Sequence, residues 1–271
     1  MTSPLVLKLG GELLESAEDR GRLASYAANV VAARPLVLIH GAGRAIDAEL
    51  ARRGITPKKV DGLRVTDAPT LDAVVAVLAG TANTELVATL VGHGVRAVGL
   101  TGVDAELGRA TRTDKHRATT GAVVDLGLVG DPVEADASLV TLLISAQYVP
   151  VIASLGIDKD GAVLNVNADV MACRIAAALT GSDLVIAGAT AGVLDATQAT
   201  IRQLDIQGID ELIASGTATA GMIAKLSACR MALSQGVASI RLVNGRALGA
   251  THGVEDAPGT TLTKTSEEVP T

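Results

Sequence analysis

Leu5-Val6-Leu7-Lys8-Leu9-Gly10-Gly11 is the stretch that decides the fold class. A five-residue run that is apolar on both faces belongs in the middle of a parallel sheet, with helices covering each side. The two glycines that follow open the backbone at the C-terminal edge of that strand, where α/β sheets bind their ligands. The same unit returns at Leu36-Val37-Leu38-Ile39, which runs into His40-Gly41-Ala42-Gly43. Further short runs lie at 97–100, 122–126, 149–153, 183–187 and 239–243. Helical patterns at about 17–33, 45–53, 69–92, 135–147, 169–180 and 222–235 alternate with them. Strand then helix, repeated, predicts an α/β protein built on a parallel sheet buried on both sides.

The 271 residues show no internal repeat, low-complexity tract or long Pro/Ser linker, so any two lobes share one sheet or are joined by short crossings. A softer division falls near 157–163, where Asp160-Gly161 signals a tight hairpin. We divide the chain into lobes 1–156 and 157–271, each holding one substrate. The tail, 264–271, is polar and expected to fray.

A net charge of −6 argues against the broad basic footprint of nucleic-acid or anionic-lipid binding. Phe and Trp are absent, and Tyr26 and Tyr148 are the only aromatics, which removes the stacking platform of single-strand binders. The core must be packed from Val, Leu, Ile and Ala. No uninterrupted apolar run approaches a membrane span, and no secretory leader opens the sequence, so the expected location is cytoplasmic. Cys173 and Cys229 fall inside apolar helical patterns and read as buried thiols; no metal-ligating constellation is present.

Several groups point to anion chemistry. Lys8 at a strand end, with Gly10 and Gly11 behind it, puts an ammonium and open N–H groups at the ligand edge. The turn Gly41, Ala42, Gly43 precedes a helix whose N-terminus favours negative charge. Neither turn has the spacing of a P-loop or of a Rossmann site. His40 fits a packing or positioning role better than that of a base. Arg64 suits a bidentate grip on a carboxylate, or a surface ion pair. Asn165 and Asn167 share one face of an extended segment, and Asp169 sits where a helix cap or first-turn acid belongs. Lys225 is expected in the first turn of a helix, opposing its dipole, a placement easier to understand beside an anion.

KLGG (8–11), HGAG (40–43), GLRVT (62–66), AGTAN (79–83), NVNAD (165–169) and GMIAK (221–225) together resemble the amino acid kinase family. Within it the chain is most similar to members that phosphorylate N-acetyl-L-glutamate. The likeness runs colinearly from about residue 4 to GTTL at 259–262. It implies a three-layer αβα sandwich with a mainly parallel central sheet. It also implies phosphoryl transfer from ATP, with Mg carried by the nucleotide, to the side-chain carboxylate of N-acetyl-L-glutamate in arginine biosynthesis. Lys8 and Lys225 would then stabilise the moving phosphoryl group and Asp169 would orient them. Gly41, Ala42, Gly43, Arg64, Asn165 and Asn167 would bind the acceptor, and Gly10, Gly11, Ala189, Thr190, Ala191, Gly192, Val193, Leu194, Thr217, Ala218 and Thr219 the nucleotide. The first lobe would serve acyl amino acid binding and dimerisation, and the second ATP binding.

Three departures qualify the likeness. Ala42 stands where the family usually has glycine, and Ala189 stands where relatives carry an acid or amide. The first strand begins at about residue 5, leaving no room for the N-terminal helix of arginine-inhibited hexamers, so an arginine-insensitive homodimer is expected. Alternatives within and beyond the family are a kinase for carrier-linked aminoadipate or glutamate, and a catalytically silent small-molecule sensor.

Overall fold

The strand Leu5–Leu9 (β1) is buried at all five positions and lies at the centre of the molecule. The computed structural model describes residues 2–118, 120–216, 218, 220–249, 254 and 257–265. After β1 come α1 (Ala17–Val31), β2 (Leu36–His40), α2 (Gly43–Arg52), β3 (Lys59–Val60), β4 (Leu63–Arg64), α3 (Ala68–Val75), α4 (Asn83–Gly92) and β5 (Ala97–Thr101). Then follow β6 (Arg109–Arg112), β7 (His116–Arg117), β8 (Val123–Val124), β9 (Val129–Glu134), α5 (Ser138–Ser145), β10 (Val149–Ala153), β11 (Leu155–Ile157) and β12 (Val163–Val166). The chain continues through α6 (Ala168–Ala178), β13 (Asp183–Gly188), β14 (Gln203–Leu204), α7 (Ile206–Ala214), α8 (Ala220–Ser234), β15 (Ile240–Asn244) and β16 (Gly259–Leu262).

Eight strands form one sheet in the order β14-β16-β15-β13-β1-β2-β10-β5. Every neighbouring pair is parallel except β15 and β16. Period-two alternation assigns the faces of β1. Leu5, Leu7 and Leu9 are buried with Leu23 and Ala27 of α1 and Leu86 and Leu90 of α4. Val6 is buried on the other side with Met171 and Ile175 of α6 and Leu226 and Cys229 of α8. The result is the expected three-layer αβα sandwich. By the same alternation Lys8 shares the face of Val6, and so points toward α6.

Beside the sheet, β11, β12, β9 and β6 close into a small barrel, and two ribbons, β3-β4 and β7-β8, stand apart from both. The Asp-Gly turn does make a hairpin, between β11 and β12, with Gly161 at φ 85 and the Asp158 N–H donating to Ala162 O. The run expected as a sheet strand at 122–126 supplies only the two-residue β8, paired with β7 outside the main sheet. The strands β6 and β9, RATR and VGDPVE, are too polar to stand out by hydrophobic pattern, and α7 has no counterpart among the helices expected.

The helices α3 and α4 are joined by a π-helical segment, Ala76–Ala82, into one rod, Ala68–Gly92. Over an 18-residue stretch its mean hydropathy is 1.7, so by length and composition this rod could cross a membrane. Asp72, Asn83 and Glu85 interrupt the run, which is why no uninterrupted apolar stretch marks it in the sequence. The rod packs on α1, α2 and β5 within the helical layer. Residues 266–271 of the polar tail, with Thr217 and Thr219, lie outside the described residues.

Candidate active site

The turns after β1 and β2 meet. A Cβ placed on Gly11 would lie 2.8 Å from Ala42 Cα and 2.9 Å from Gly43 N, so only glycine permits this approach of two backbones. Because β1 and β2 pair in parallel with Leu9 opposite His40, both turns leave the same edge of the sheet. No side chain caps α2, whose first N–H groups open beside Gly11. The Ala42 methyl is buried with Ile46 and Leu155.

Lys8 reaches from this edge to α6, and its Nζ is 2.8 Å from Asp169 Oδ1. Lys225, on α8, places its Nζ 3.4 Å from Asp169 Oδ2. One carboxylate therefore holds two ammonium groups from two different elements. Burial pushes the Asp169 carboxyl upward, but the charges of Lys8 and Lys225 and their hydrogen bonds outweigh it and hold the group below the usual carboxylate range. Asp169 is not the cap of α6. That role belongs to Asn167, whose Oδ1 accepts from the N–H groups of Asp169 and Val170. Asp169 is thereby free to bridge lysines. Lys225 stands on the second turn of α8, which begins at Ala220, so proximity to Asp169 rather than the helix dipole accounts for its position.

A cavity of about 190 Å³ opens next to this bridge, lined among others by Gly41, Gly43, Lys59, Arg64, Asn165 and Asn167. It is smaller than the roughly 300–1,000 Å³ of drug-sized pockets, and so suits a small metabolite. Arg64 is buried, so it does not form the surface ion pair that the sequence also allows; its ion pair is an interior one. Its Nη1 is 2.5 Å from Asp47 Oδ1 on α2, its Nη2 donates to Gly43 O, and the guanidinium still borders the cavity. Lys59 donates to the other oxygen of Asp47 at 2.8 Å. Asp47 is thus a functional residue that motif reading passes over; its only signal is a position one helical turn beyond Gly43. Asn165 Nδ2 donates to Thr66 Oγ1 at 3.1 Å.

His40 is fully buried beneath the Gly41-Ala42-Gly43 turn. Its Nε2 lies 3.1 Å from Asn83 Nδ2, and its Nδ1 lies 3.3 Å from Gly41 O. Burial outweighs the Gly41 contact and pushes the imidazole down to about 4. A neutral ring donates from Nδ1 to Gly41 O and accepts at Nε2 from Asn83, fixing the turn that carries the anion-facing backbone. Both ring nitrogens of His40 are thus engaged with the protein itself.

On the far side of β1, β13 ends at Gly188 and leads into Ala189 and Thr190, which are exposed, and partly buried Ala191. Gly192 adopts φ 111 and lies so close to Thr260 that a Cβ would meet its Oγ1 at 2.4 Å. Thr260 Oγ1 accepts from the Val193 N–H and donates to Ile201 O, pinning the loop. Val193 is buried and Leu194 half-buried, and Ala218 packs against the core. Gly10 N–H donates to Ala187 O, so Gly10 ties β1 to β13 at this edge.

The profile of the amino acid kinase family matches residues 3–244. The chain belongs to that family. The acetylglutamate kinase of Symbiobacterium thermophilum is 41% identical to it over 248 residues, 89% of this chain and 84% of that protein. That of Methanopyrus kandleri is 39% identical over 242 residues, 88% of this chain and 94% of that protein. Among solved structures, a protein of Streptococcus mutans superposes with a TM-score of 0.80 at 26% identity, covering 98% of this chain and all of that one. The N-acetylglutamate synthase of Neisseria gonorrhoeae, complexed with coenzyme A and N-acetyl-glutamate, superposes with a TM-score of 0.83 at 25% identity, covering 98% of this chain and 60% of that one.

Proposed function

We propose that this chain transfers the γ-phosphoryl group of ATP to the side-chain carboxylate of N-acetyl-L-glutamate, giving N-acetyl-L-glutamyl 5-phosphate and ADP in arginine biosynthesis. The observation that carries the reading is the Lys8–Asp169–Lys225 bridge beside a small cavity bordered by Arg64. Relatives bearing the name acetylglutamate kinase, at 35–41% identity over most of the chain, support the choice of acceptor. An acceptor carboxylate oxygen attacks the γ-phosphorus and the bond to the ADP oxygen breaks. Both partners are anionic, so catalysis is charge neutralisation and alignment.

Lys8 and Lys225 supply positive charge on two sides of the transferring group, and Asp169 keeps both in place. The N–H groups of Gly11 and of the Gly41–Gly43 turn receive oxygens. Arg64 and Asn165 hold the acceptor's α-carboxylate and its neighbourhood, with Asn167 beside them. The nucleotide lies over Gly10 and the 189–194 loop, with Thr217, Ala218 and Thr219, which precede α8 in the sequence, as its remaining contacts. The first lobe, 1–156, takes the acceptor and the second, 157–271, takes ATP. Among the described residues no group of three or more His, Cys, Asp or Glu side chains could hold a metal ion, whereas the ammonium and N–H donors fit phosphate oxygens. Mg carried by the nucleotide would neutralise phosphate oxygens beside Lys8 and Lys225.

A cytoplasmic homodimer is the state we propose. The α4 face at Ala88 and Val91, with Val91 55% exposed, adjoins the edge strand β5 in one apolar groove, a surface that a second copy would cover. Trapping of acyl phosphate by hydroxylamine, with Mg and ATP, tests the reaction. Signal with N-acetylglutamate, but not with glutamate, aspartate or N-acetylaminoadipate, is expected; silence with all four overturns it.

A further inference from the structure

The β3-β4 hairpin carries Lys59, Gly62, Leu63 and Arg64 to the cavity, yet each of its strands is two residues long and it pairs with no other sheet. A two-stranded ribbon of this size is marginal alone, so its position depends on what holds its two ends. The root is fixed to α2, where Arg64 and Lys59 share Asp47, and to the following segment, where Thr66 N–H donates to Leu126 O.

The tip is held separately. Asp61 and Gly62 take φ 50 and 83, the doubly left-handed turn that closes tight hairpins and that Asp and Gly tolerate. Asp61 Oδ2 then meets His116 Nε2 at 2.8 Å, with the two side chains only 16% and 22% exposed. His116 belongs to β7, in the second isolated ribbon, so two ribbons outside the main sheet and barrel brace each other. On its inner side the tip reaches the catalytic helix, since a Cβ on Gly62 would lie 4.0 Å from Cα of Gly221 in α8, which carries Lys225.

We propose that the Asp61–His116 pair is a clasp that holds the β3-β4 hairpin in its acceptor-binding position, making both positioning residues that set affinity without touching the reacting atoms. Without the clasp the hairpin samples open positions, and the apparent acceptor affinity falls by the fraction of closed molecules. Arg64, anchored at the root by Asp47, stays available, so turnover at saturation is retained. This inference rests on the cavity being the acceptor site.

His116→Ala, Asp61→Asn and the double variant test it. A charge-assisted contact of this kind predicts a KM for N-acetylglutamate raised roughly 5- to 50-fold in His116→Ala, with kcat and the KM for ATP within about twofold. The double variant should be no worse than the worse single one, and His116→Gln, which keeps a donor, should restore most of the affinity. Unchanged acceptor KM, multiplying effects in the double variant, or a loss confined to kcat overturns the clasp. Hydrogen exchange of ligand-free protein separates the clasp from the substrate assignment. Faster exchange across 58–65 in His116→Ala is expected, and identical exchange overturns the clasp even if the wild type proves not to bind N-acetylglutamate.

Discussion

Lys8 and Asp169 stand 161 positions apart in the chain, and their charged atoms lie 2.8 Å apart at the edge of the central sheet. The contact exists because β1 turns Lys8 toward the face on which α6 packs, and because Asn167 rather than Asp169 caps that helix. Lys225 joins the same carboxylate from α8, which packs against α6. Two cations are thus concentrated at one point, where the proposed reaction would pass an anionic phosphoryl group.

Replacing Lys8 or Lys225 with Ala should lower kcat roughly 100- to 1,000-fold, the range for loss of one preorganised electrostatic contact to a transition state. The double variant should lose less than the product of the two, because both lysines act through Asp169. Single-turnover rates measure this, and wild-type turnover in either single variant would sink the mechanism.

Asp169 also links stability to pH. Its carboxyl is held below the ordinary 3.8 in the folded protein, so its ionised form contributes stability above that value, and the contribution is lost as the pH falls below it. Asp169→Asn should cost about 3 kcal/mol near neutrality, by leaving the buried Lys8 ammonium and the partly buried Lys225 ammonium uncompensated. Its melting temperature should fall less than the wild type's on acidification from about pH 5 to about pH 3. Calorimetry across that interval is the check, and parallel curves would contradict the linkage.

His40 acts in a neighbouring pH interval. Unfolded, the imidazole titrates near 6.5; folded, it is pushed down to about 4. Protons therefore favour the unfolded chain across that interval. The stability His40 provides is complete above 6.5 and declines as the pH falls toward 4, by about 3 kcal/mol in all. His40→Gln should flatten denaturant-measured stability between those limits. It should leave the pH profile of kcat near neutrality unshifted, because His40 is already neutral there; a shifted profile would make His40 a base after all.

Arg64→Lys should raise the KM for the acceptor roughly 10- to 100-fold, with little change in the KM for ATP. A lysine cannot hold Asp47 and Gly43 O while presenting a planar fork to a carboxylate. Isothermal titration with N-acetylglutamate and, separately, with an ATP analogue distinguishes this from a general loss of folding, and equal weakening of both ligands would argue against the assignment of Arg64 to the acceptor.

Much of this is local chemistry that a sequence carries openly. The run Leu5–Leu9, apolar on both faces and followed by two glycines, specifies a central strand and an open ligand edge, and the structure places it there. The turn at Gly11 is legible because only glycine permits its approach to the backbone of Ala42 and Gly43. The strands β6, β7 and β9 are not legible, because strands of two to six residues with polar faces carry no periodic signal, and the apolar run around β8 does not reveal that it pairs with β7 outside the main sheet.

By itself the sequence determined the layered α/β class, the family and the residue types that meet anions, since strand periodicity, turn glycines and motif order are properties of neighbours along the chain. Only the tertiary structure decided which charges meet: that Asp169 bridges two lysines while Asn167 caps, that Arg64 leans on Asp47, that His40 is neutral, and that Asp61 clasps His116. Those outcomes depend on distances between elements and on desolvation in their shared interior, and both arise only when the helices and ribbons pack.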